Sequence, residues 1–218
     1  EDRLVGVITV DDIVDVIDQE NTEDIQKMAA MNPSDEEYLK ESVMSLAKHR
    51  ILWLLVLMIS ATFTGYILQY FEDKLSALAI LSASIPIIMS TAGNAGAQSS
   101  TMVIRGIAVD DLNIKDIFIV LKKELAVGLL CGAILFVTNF IRLYIFGSKS
   151  TTFSISFVVS LTITISLISA NLAGGILPLI AKKLKMDPAS AAAPLITTIV
   201  DATSLIIYFM LAIAILKI

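Results

Sequence analysis

Five long apolar stretches divide the chain, and they constrain its fold more than any other feature. The stretches cover about residues 51–70, 75–104, 125–146, 152–180 and 189–216. A helix rises about 1.5 Å per residue, so each stretch is long enough to cross a hydrocarbon layer about 30 Å thick. The sequence therefore predicts an all-α polytopic membrane protein, with five transmembrane helices in a membrane region of residues 49–218.

The charged residues are distributed unevenly along the chain. Residues 1–41 hold 13 acidic and 3 basic side chains, net −10, whereas residues 42–218 hold 8 acidic and 13 basic side chains, net +5. Most basic residues next to the apolar stretches fall on one side, which the positive-inside rule places in the cytosol. We expect a multi-pass plasma-membrane protein with a cytosolic N-terminus and a C-terminus outside. Its expected partners are the lipid bilayer and cations, and no nucleic acid.

The N-terminal residues have the pattern of a cytosolic segment. LVGVITV at 4–10 has the β-branched composition of a strand, and the acidic residues from Asp11 onward suit the first turn of a helix. Residues 19–48 are polar and helix-prone around a break at Asn32–Pro33. Ser34 follows the break and is predicted to cap a second helix.

The longest connection between apolar stretches covers residues 105–124. Apolar residues recur there at helical spacing with charges between them, which predicts an amphipathic helix along the cytosolic surface. A simple linker helix and a regulatory helix are both consistent with this pattern.

An aspartate, Asp201, lies at the middle of the last apolar stretch. A charged side chain at mid-bilayer costs about 2.5 to 3.5 kcal/mol on insertion scales, so it is retained mostly where it faces protein, water or an ion. Thr197, Thr198, Ser204 and Tyr208 lie three, four or seven residues away and predict one polar stripe around it. The stripe is interpreted as a pore wall with Asp201 as the metal ligand. An aspartate that is protonated or hydrogen-bonded for packing is the alternative.

A second polar pattern, STAGNAGAQSST, occupies residues 90–101. Its small residues allow close helix approach, and the amides of Asn94 and Gln98 can offer oxygen atoms to water or ions. Helix packing alone is the alternative explanation. Together with Asp201, the pattern predicts a hydrophilic path lined by Asn94, Gln98, Thr197, Thr198 and Ser204.

The oxygen atoms of these side chains favour a hard cation such as Mg²⁺ over Zn²⁺ or Cu⁺. One aspartate supplies one negative charge for a divalent ion, and a symmetric dimer would supply two. We therefore expect a homodimer with the pore at its interface. A proton- or Na⁺-coupled secondary transporter of divalent cations, with Asp201 as the coupling site, is the alternative. The spans show no catalytic motif, so no enzyme is expected.

Three phrases resemble the MgtE family of Mg²⁺ channels: GNAGAQ at 93–98, ENTEDIQKMA at 20–29 and PLITTIVDATSL at 194–205. The resemblance covers essentially the whole chain. It implies that residues 1–18 are the tail of a second CBS domain and that residues 19–48 form a connecting (plug) helix region. With so little of the CBS domain present, we expect the chain to be part of a longer protein.

The resemblance also implies a function. It implies a homodimeric Mg²⁺ channel whose pore is lined chiefly by the second and fifth spans, with a hydrated Mg²⁺ at Asp201. It further implies regulatory Mg²⁺ that shuts the pore when cytosolic Mg²⁺ is high, and nucleotide binding to the CBS domains. The acids at the matching regulatory positions are Asp18, Glu20, Glu23 and Asp24.

Overall fold

The computed structural model describes residues 6–34, 36–75, 79–109, 112–147 and 151–217, with the backbone alone at 72–75, 79–80 and 191–195. Its helices are α1 (Val10–Met28), α2 (Val43–Leu75), α3 (Ala79–Ala108), α4 (Ile117–Phe146), α5 (Phe153–Lys183) and α6 (Pro188–Leu216). A 3-10 turn at Ile114–Asp116 precedes α4. These ranges contain no strand, which confirms the all-α prediction.

Helix α1 begins one residue before the predicted acidic turn. The Thr9 hydroxyl accepts from the Asp12 backbone N–H, and the Asp12 carboxylate accepts from the Thr9 backbone N–H at 2.8 Å. These hydrogen bonds from the Thr9 hydroxyl and backbone lower the pKa of Asp12. The strand predicted over residues 4–10 is wrong for the described residues 6–10, because a strand needs a neighbour to pair with. Residues 4 and 5 lie outside the described ranges.

Residues 29–34 and 36–42 connect α1 to α2 through turns, and the helix predicted after Ser34 is wrong for the described residues 36–42. The Gln26 side chain binds both Ser34 backbone groups, at 2.7 and 3.1 Å, so Ser34 is held against α1. The Asn32 side chain accepts from the Trp53 indole at 3.1 Å, and its backbone N–H donates to the His49 carbonyl. These contacts tie the end of α1 to the first turns of α2.

Among the described residues, four segments are long and apolar enough to cross a membrane: Val43–Phe71, Ile114–Phe146, Phe153–Lys183 and Ile196–Leu216. Helix α3 is equally long at 30 residues, packs against α5 and α6, and carries the polar 90–101 segment. The protein is therefore a multi-pass membrane protein. A fifth span formed by α3 belongs to the proposal below.

The amphipathic surface helix predicted over residues 105–124 is wrong. Helix α3 continues to Ala108, and α4 begins at Ile117. The apolar residues of the connection, Leu112, Ile114 and Ile117, pack against a buried cluster of Val103, Ile107, Val120 and Leu179. These three residues therefore face other helices, whereas Phe118 at the start of α4 is exposed.

Helix α5 lies at the centre of the bundle and is the most buried of the four spans. Glycines set its distance to the neighbouring helices. A Cβ on Gly174 would lie 2.4 Å from the Gly96 carbonyl oxygen of α3. Gly128 and Gly132 of α4 likewise lie against Ile168 and Thr164 of α5. The small residues therefore allow both α3 and α4 to pack closely on α5.

Candidate functional site

Asp201 lies in the second turn of the apolar segment Ile196–Leu216 of α6 and is half-buried. The residue before it, Val200, packs against Gly96 of α3 together with Ile196. Within the described part of the chain, the Asp201 carboxylate has no hydrogen bond or ion pair. A partly buried carboxylate in a membrane helix needs water, a cation or another chain as its partner.

The residues predicted to surround Asp201 separate into two groups. Ser204 and Tyr208 are fully packed, and the Tyr208 hydroxyl donates to the Leu81 carbonyl at 2.9 Å. Thr197 is exposed and Thr198 is half-buried. The surface near Asp201 is therefore continued by Thr197, one turn earlier, while the pore-lining role of Ser204 stays a prediction.

The two sides of the polar segment of α3 face different helices. Gly96 faces α6, where a Cβ would lie 3.0 Å from Ile196, and the Ser99 hydroxyl donates to the Asn171 carbonyl of α5 at 2.9 Å. Asn94 and Gln98 are exposed and point toward α4. The structure therefore brings Gly96 next to the helix of Asp201 and places the two predicted amides elsewhere.

A groove separates α3 from α4 on the surface of α5, and we call it the α3–α4 groove. It consists of two adjoining cavities of about 370 and 380 Å³ that share Ala95, Gln98, Cys131 and Leu167. The first cavity adds Thr91, Asn94, Ile134 and Leu135, and the second adds Ser99, Met102, Lys123, Glu124, Val127 and Asn171. Asp201 lines neither cavity.

An ion pair joins α1 to the start of α6. Asp187 caps α6 by accepting from the Ala189 backbone and the Ser190 hydroxyl, each at 2.9 Å, and Lys27 of α1 lies 2.6 Å from the same carboxylate. Lys27 also pairs with Glu23. One turn of α1 is thereby tied directly to the helix that carries Asp201.

The pKa shifts follow from this junction. Burial alone would raise the pKa of Asp187, but the hydrogen bonds from Lys27, Ser190 and Ala189 outweigh it and lower the pKa. Burial would lower the pKa of Lys27, but its bonds to Asp187 and Glu23 raise it well above the usual value. Burial and the negative charge of Asp187 raise the pKa of Asp24.

The four acids implied as regulatory ligands are all on α1. Glu23 pairs with Lys27, Asp24 lies near the charges of Asp187, Glu20 and Glu23, and the Asp18 carbonyl accepts from Thr22. Across the described ranges, no group of three or more His, Cys, Asp or Glu side chains is arranged to hold a metal ion. Their regulatory role stays a prediction.

Two polar features of the bundle were not predicted from the sequence. Glu124 lines the α3–α4 groove, although its place among basic residues indicates an ordinary solvated side chain. Asn139 of α4 donates to the Ser160 hydroxyl and accepts from Arg142, at 2.9 and 2.8 Å. A polar residue three positions before a charged one inside an apolar stretch could have indicated this second cluster.

The bundle and its unpaired carboxylate define the class of protein as a multi-pass helical membrane protein with a polar site inside its spans. Residues 85–211 match the model of the family MgtE, described as divalent cation transporter. This match covers more than half of the chain, and the chain belongs to the MgtE family.

Three bacterial relatives carry the name magnesium transporter MgtE. The protein of Thermus thermophilus is 38% identical over 212 residues, that of Bacillus subtilis 37% over 211, and that of Enterococcus faecalis 35% over 212. Each alignment covers 97% of this chain and 46% of the relative, so the chain spans about half the length of these relatives. They are named as transporters, in agreement with the expectation that the protein is not an enzyme.

Proposed function

We propose that the chain forms the membrane region of a homodimeric Mg²⁺ channel, with α3 as a fifth span and Asp201 as its metal site. The single observation that carries the proposal is the half-buried, unpaired Asp201 carboxylate in a membrane helix. Similarity to three proteins named magnesium transporters supports Mg²⁺ as the transported ion. Mg²⁺ retains several waters and commonly uses one or two carboxylates, which one Asp201 from each protomer would supply.

The surface around Asp201 supports a second protomer as the neighbour. Thr197 is exposed one turn from Asp201, on a helix whose other side packs against α3 and α5. A twofold axis passing this surface would bring two carboxylates to one ion and supply a charge of −2. With five spans, the N-terminus would be cytosolic and the C-terminus outside.

Control of the channel by cytosolic Mg²⁺ is the second part of the proposal. The N-terminal 41 residues carry a net charge of −10, and bound divalent cations would neutralise this charge and draw helices together. The Lys27–Asp187 ion pair joins α1 to the start of α6, so a movement of α1 would also displace the helix that carries Asp201. Raising cytosolic Mg²⁺ should reduce flux in the full-length protein and have little effect on residues 1–218 expressed alone.

Bilayer recordings of the full-length protein test whether it is a channel. Under an imposed Mg²⁺ gradient, channel currents should reverse at the Mg²⁺ equilibrium potential and be insensitive to a proton or Na⁺ gradient. Flux driven by a proton or Na⁺ gradient would instead identify a coupled transporter that uses Asp201 as its coupling site.

A further inference from the structure

We propose that the α3–α4 groove contains a second cation site, in which Glu124, Asn171 and Gln98 bind a hydrated divalent cation. The site is separate from Asp201, because Asp201 lines neither cavity of the groove. The inference depends on none of the roles proposed for Asp201.

Glu124 supplies the negative charge of the site. It is half-buried in the second turn of α4 and lies over Gly175 of α5, where a Cβ would be 3.0 Å from the Glu124 Cγ. No described residue forms an ion pair or hydrogen bond with its carboxylate. A half-buried carboxylate that lines a cavity is satisfied there by water or by a cation.

Asn171 supplies a second and independent indication of a ligand. The residue is only 5% exposed, and it lines the 380 Å³ cavity that contains Glu124. Its backbone carbonyl accepts from Ser99, but its side-chain amide has no partner among the described residues. The Asn171 amide borders the cavity, and its oxygen is a suitable acceptor for a metal-bound water.

The cavity has room for a hydrated ion. An octahedral shell of six waters takes roughly 180 Å³, at about 30 Å³ per water. The cavity of about 380 Å³ therefore holds the ion and its waters while Glu124, Asn171 and Gln98 contact the outer surface of the shell. Contact through waters suits Mg²⁺, which gives up its waters reluctantly.

Lys123 also lines this cavity and limits its affinity. Lys123 is an exposed residue, and its positive charge repels a cation bound at Glu124. Removing this positive charge should tighten cation binding, and removing the neighbouring charge of Lys122, which does not line the cavity, should change little. The two lysines are therefore a matched pair for a test.

Cys131, the only cysteine of the chain, provides a local reporter. It lines both cavities and lies seven residues after Glu124, about 10 Å along α4. The test uses residues 1–218 with Asp201→Asn, reconstituted in phospholipid nanodiscs and labelled with a nitroxide at Cys131. Mn²⁺ bound near Glu124 should broaden the EPR spectrum of the nitroxide. Glu124→Gln should weaken the apparent Mn²⁺ affinity at least tenfold, and Lys123→Gln should strengthen it several-fold. Lys122→Gln should leave it within twofold.

Two results of the Mn²⁺ titration would overturn the site, and failure of Cys131 to react with a charged reagent would overturn it as well. One is an EPR spectrum of the Asp201→Asn parent that is not broadened by Mn²⁺ up to about 10 mM. That concentration exceeds the dissociation constants of weak oxygen-ligand sites, which are about 10⁻⁴ to 10⁻³ M. The other is equal Mn²⁺ affinity in the parent and Glu124→Gln. Gln98→Ala should also weaken Mn²⁺ binding. Because Gln98 is exposed, this variant replaces Glu124→Gln in the test if Glu124→Gln fails to fold. A charged thiosulfonate should react with Cys131 in nanodiscs, and failure to react would show a groove filled by lipid or protein.

Discussion

Gly174 is a residue at which α3 and α5 approach each other closely. A Cβ there would lie 2.4 Å from the Gly96 carbonyl oxygen and 3.0 Å from the Ser99 Cβ, so Gly174→Ala must push two backbones apart. We expect Gly174→Ala to destabilise the protomer by about 1 to 3 kcal/mol, the usual cost of overpacking. Unfolding in detergent measures the change.

Gly65→Ala is the matched control for that substitution, because no atom lies within 4 Å of a Cβ at Gly65. It should leave stability unchanged or raise it by up to about 1 kcal/mol, since alanine is the better helix former. Equal stability of the two variants would show that α3 and α5 do not pack through Gly174.

Single residues of the site were predicted where their chemistry conflicts with their surroundings. Asp201 was predicted because a carboxylate in an apolar helix is costly. Glu124 was missed because it follows two lysines at the edge of a span, where a charge has no such conflict. The directions of Asn94 and Gln98 depend on which side of α3 meets α5, and helical spacing alone does not determine that.

At the scale of elements, the Lys27–Asp187 pair connects α1 to α6. Lys27→Met should release the end of α1 and lower the protection of its backbone amides in hydrogen exchange. Lys40→Met removes another lysine, one paired with Glu37 within the α1–α2 connection, and should leave α1 protected. Unchanged protection in Lys27→Met would show that the pair does not hold α1 in place.

The same pair predicts a dependence on pH. The pKa of Asp187 is lowered from 3.8, so its stabilising effect is present above that value and is lost as the pH falls through the lower folded pKa. The pKa of Lys27 is raised from 10.5, so its effect is lost only above about pH 10. Protection of α1, corrected for intrinsic exchange, should be constant between about pH 5 and 9 and fall below pH 4. Constant protection down to pH 2 would contradict this.

Elements could be predicted where the apolar pattern is long, and less well where tertiary contacts decide. The spans follow from composition alone. Residues 105–124 were misread because their apolar spacing fits a membrane surface as well as it fits the buried cluster around Leu179. The Gly128 and Gly132 pair was an available signal of close packing, and the structure places it against α5.

At the scale of the whole molecule, the proposed metal site at Asp201 predicts a homodimer. In a Cys131→Ser background, Thr197→Cys should form a disulfide-linked dimer in membranes, because Thr197 is exposed one turn from Asp201. Phe146→Cys, at a highly exposed position at the end of α4, is the control and should remain monomeric on the same gel. Equal crosslinking of both variants would indicate random collision.

The symmetry of the assembly was inferred from charge balance, since one carboxylate cannot neutralise a divalent ion. Neither the apolar pattern nor the packing of one chain fixes where a second copy lies. A carboxylate left unpaired within a single chain, such as that of Asp201, is the physical indication of what must be covered.

Mg²⁺ uptake into proteoliposomes tests the role of Asp201 most directly. The full-length protein and its Asp201→Asn variant should both reconstitute as folded dimers, shown by equal elution volume and unfolding temperature. We expect Asp201→Asn to lower Mg²⁺ uptake at least tenfold, because the neutral amide removes both charges from the proposed site. Uptake by Asp201→Asn equal to that of the unsubstituted protein would contradict the account.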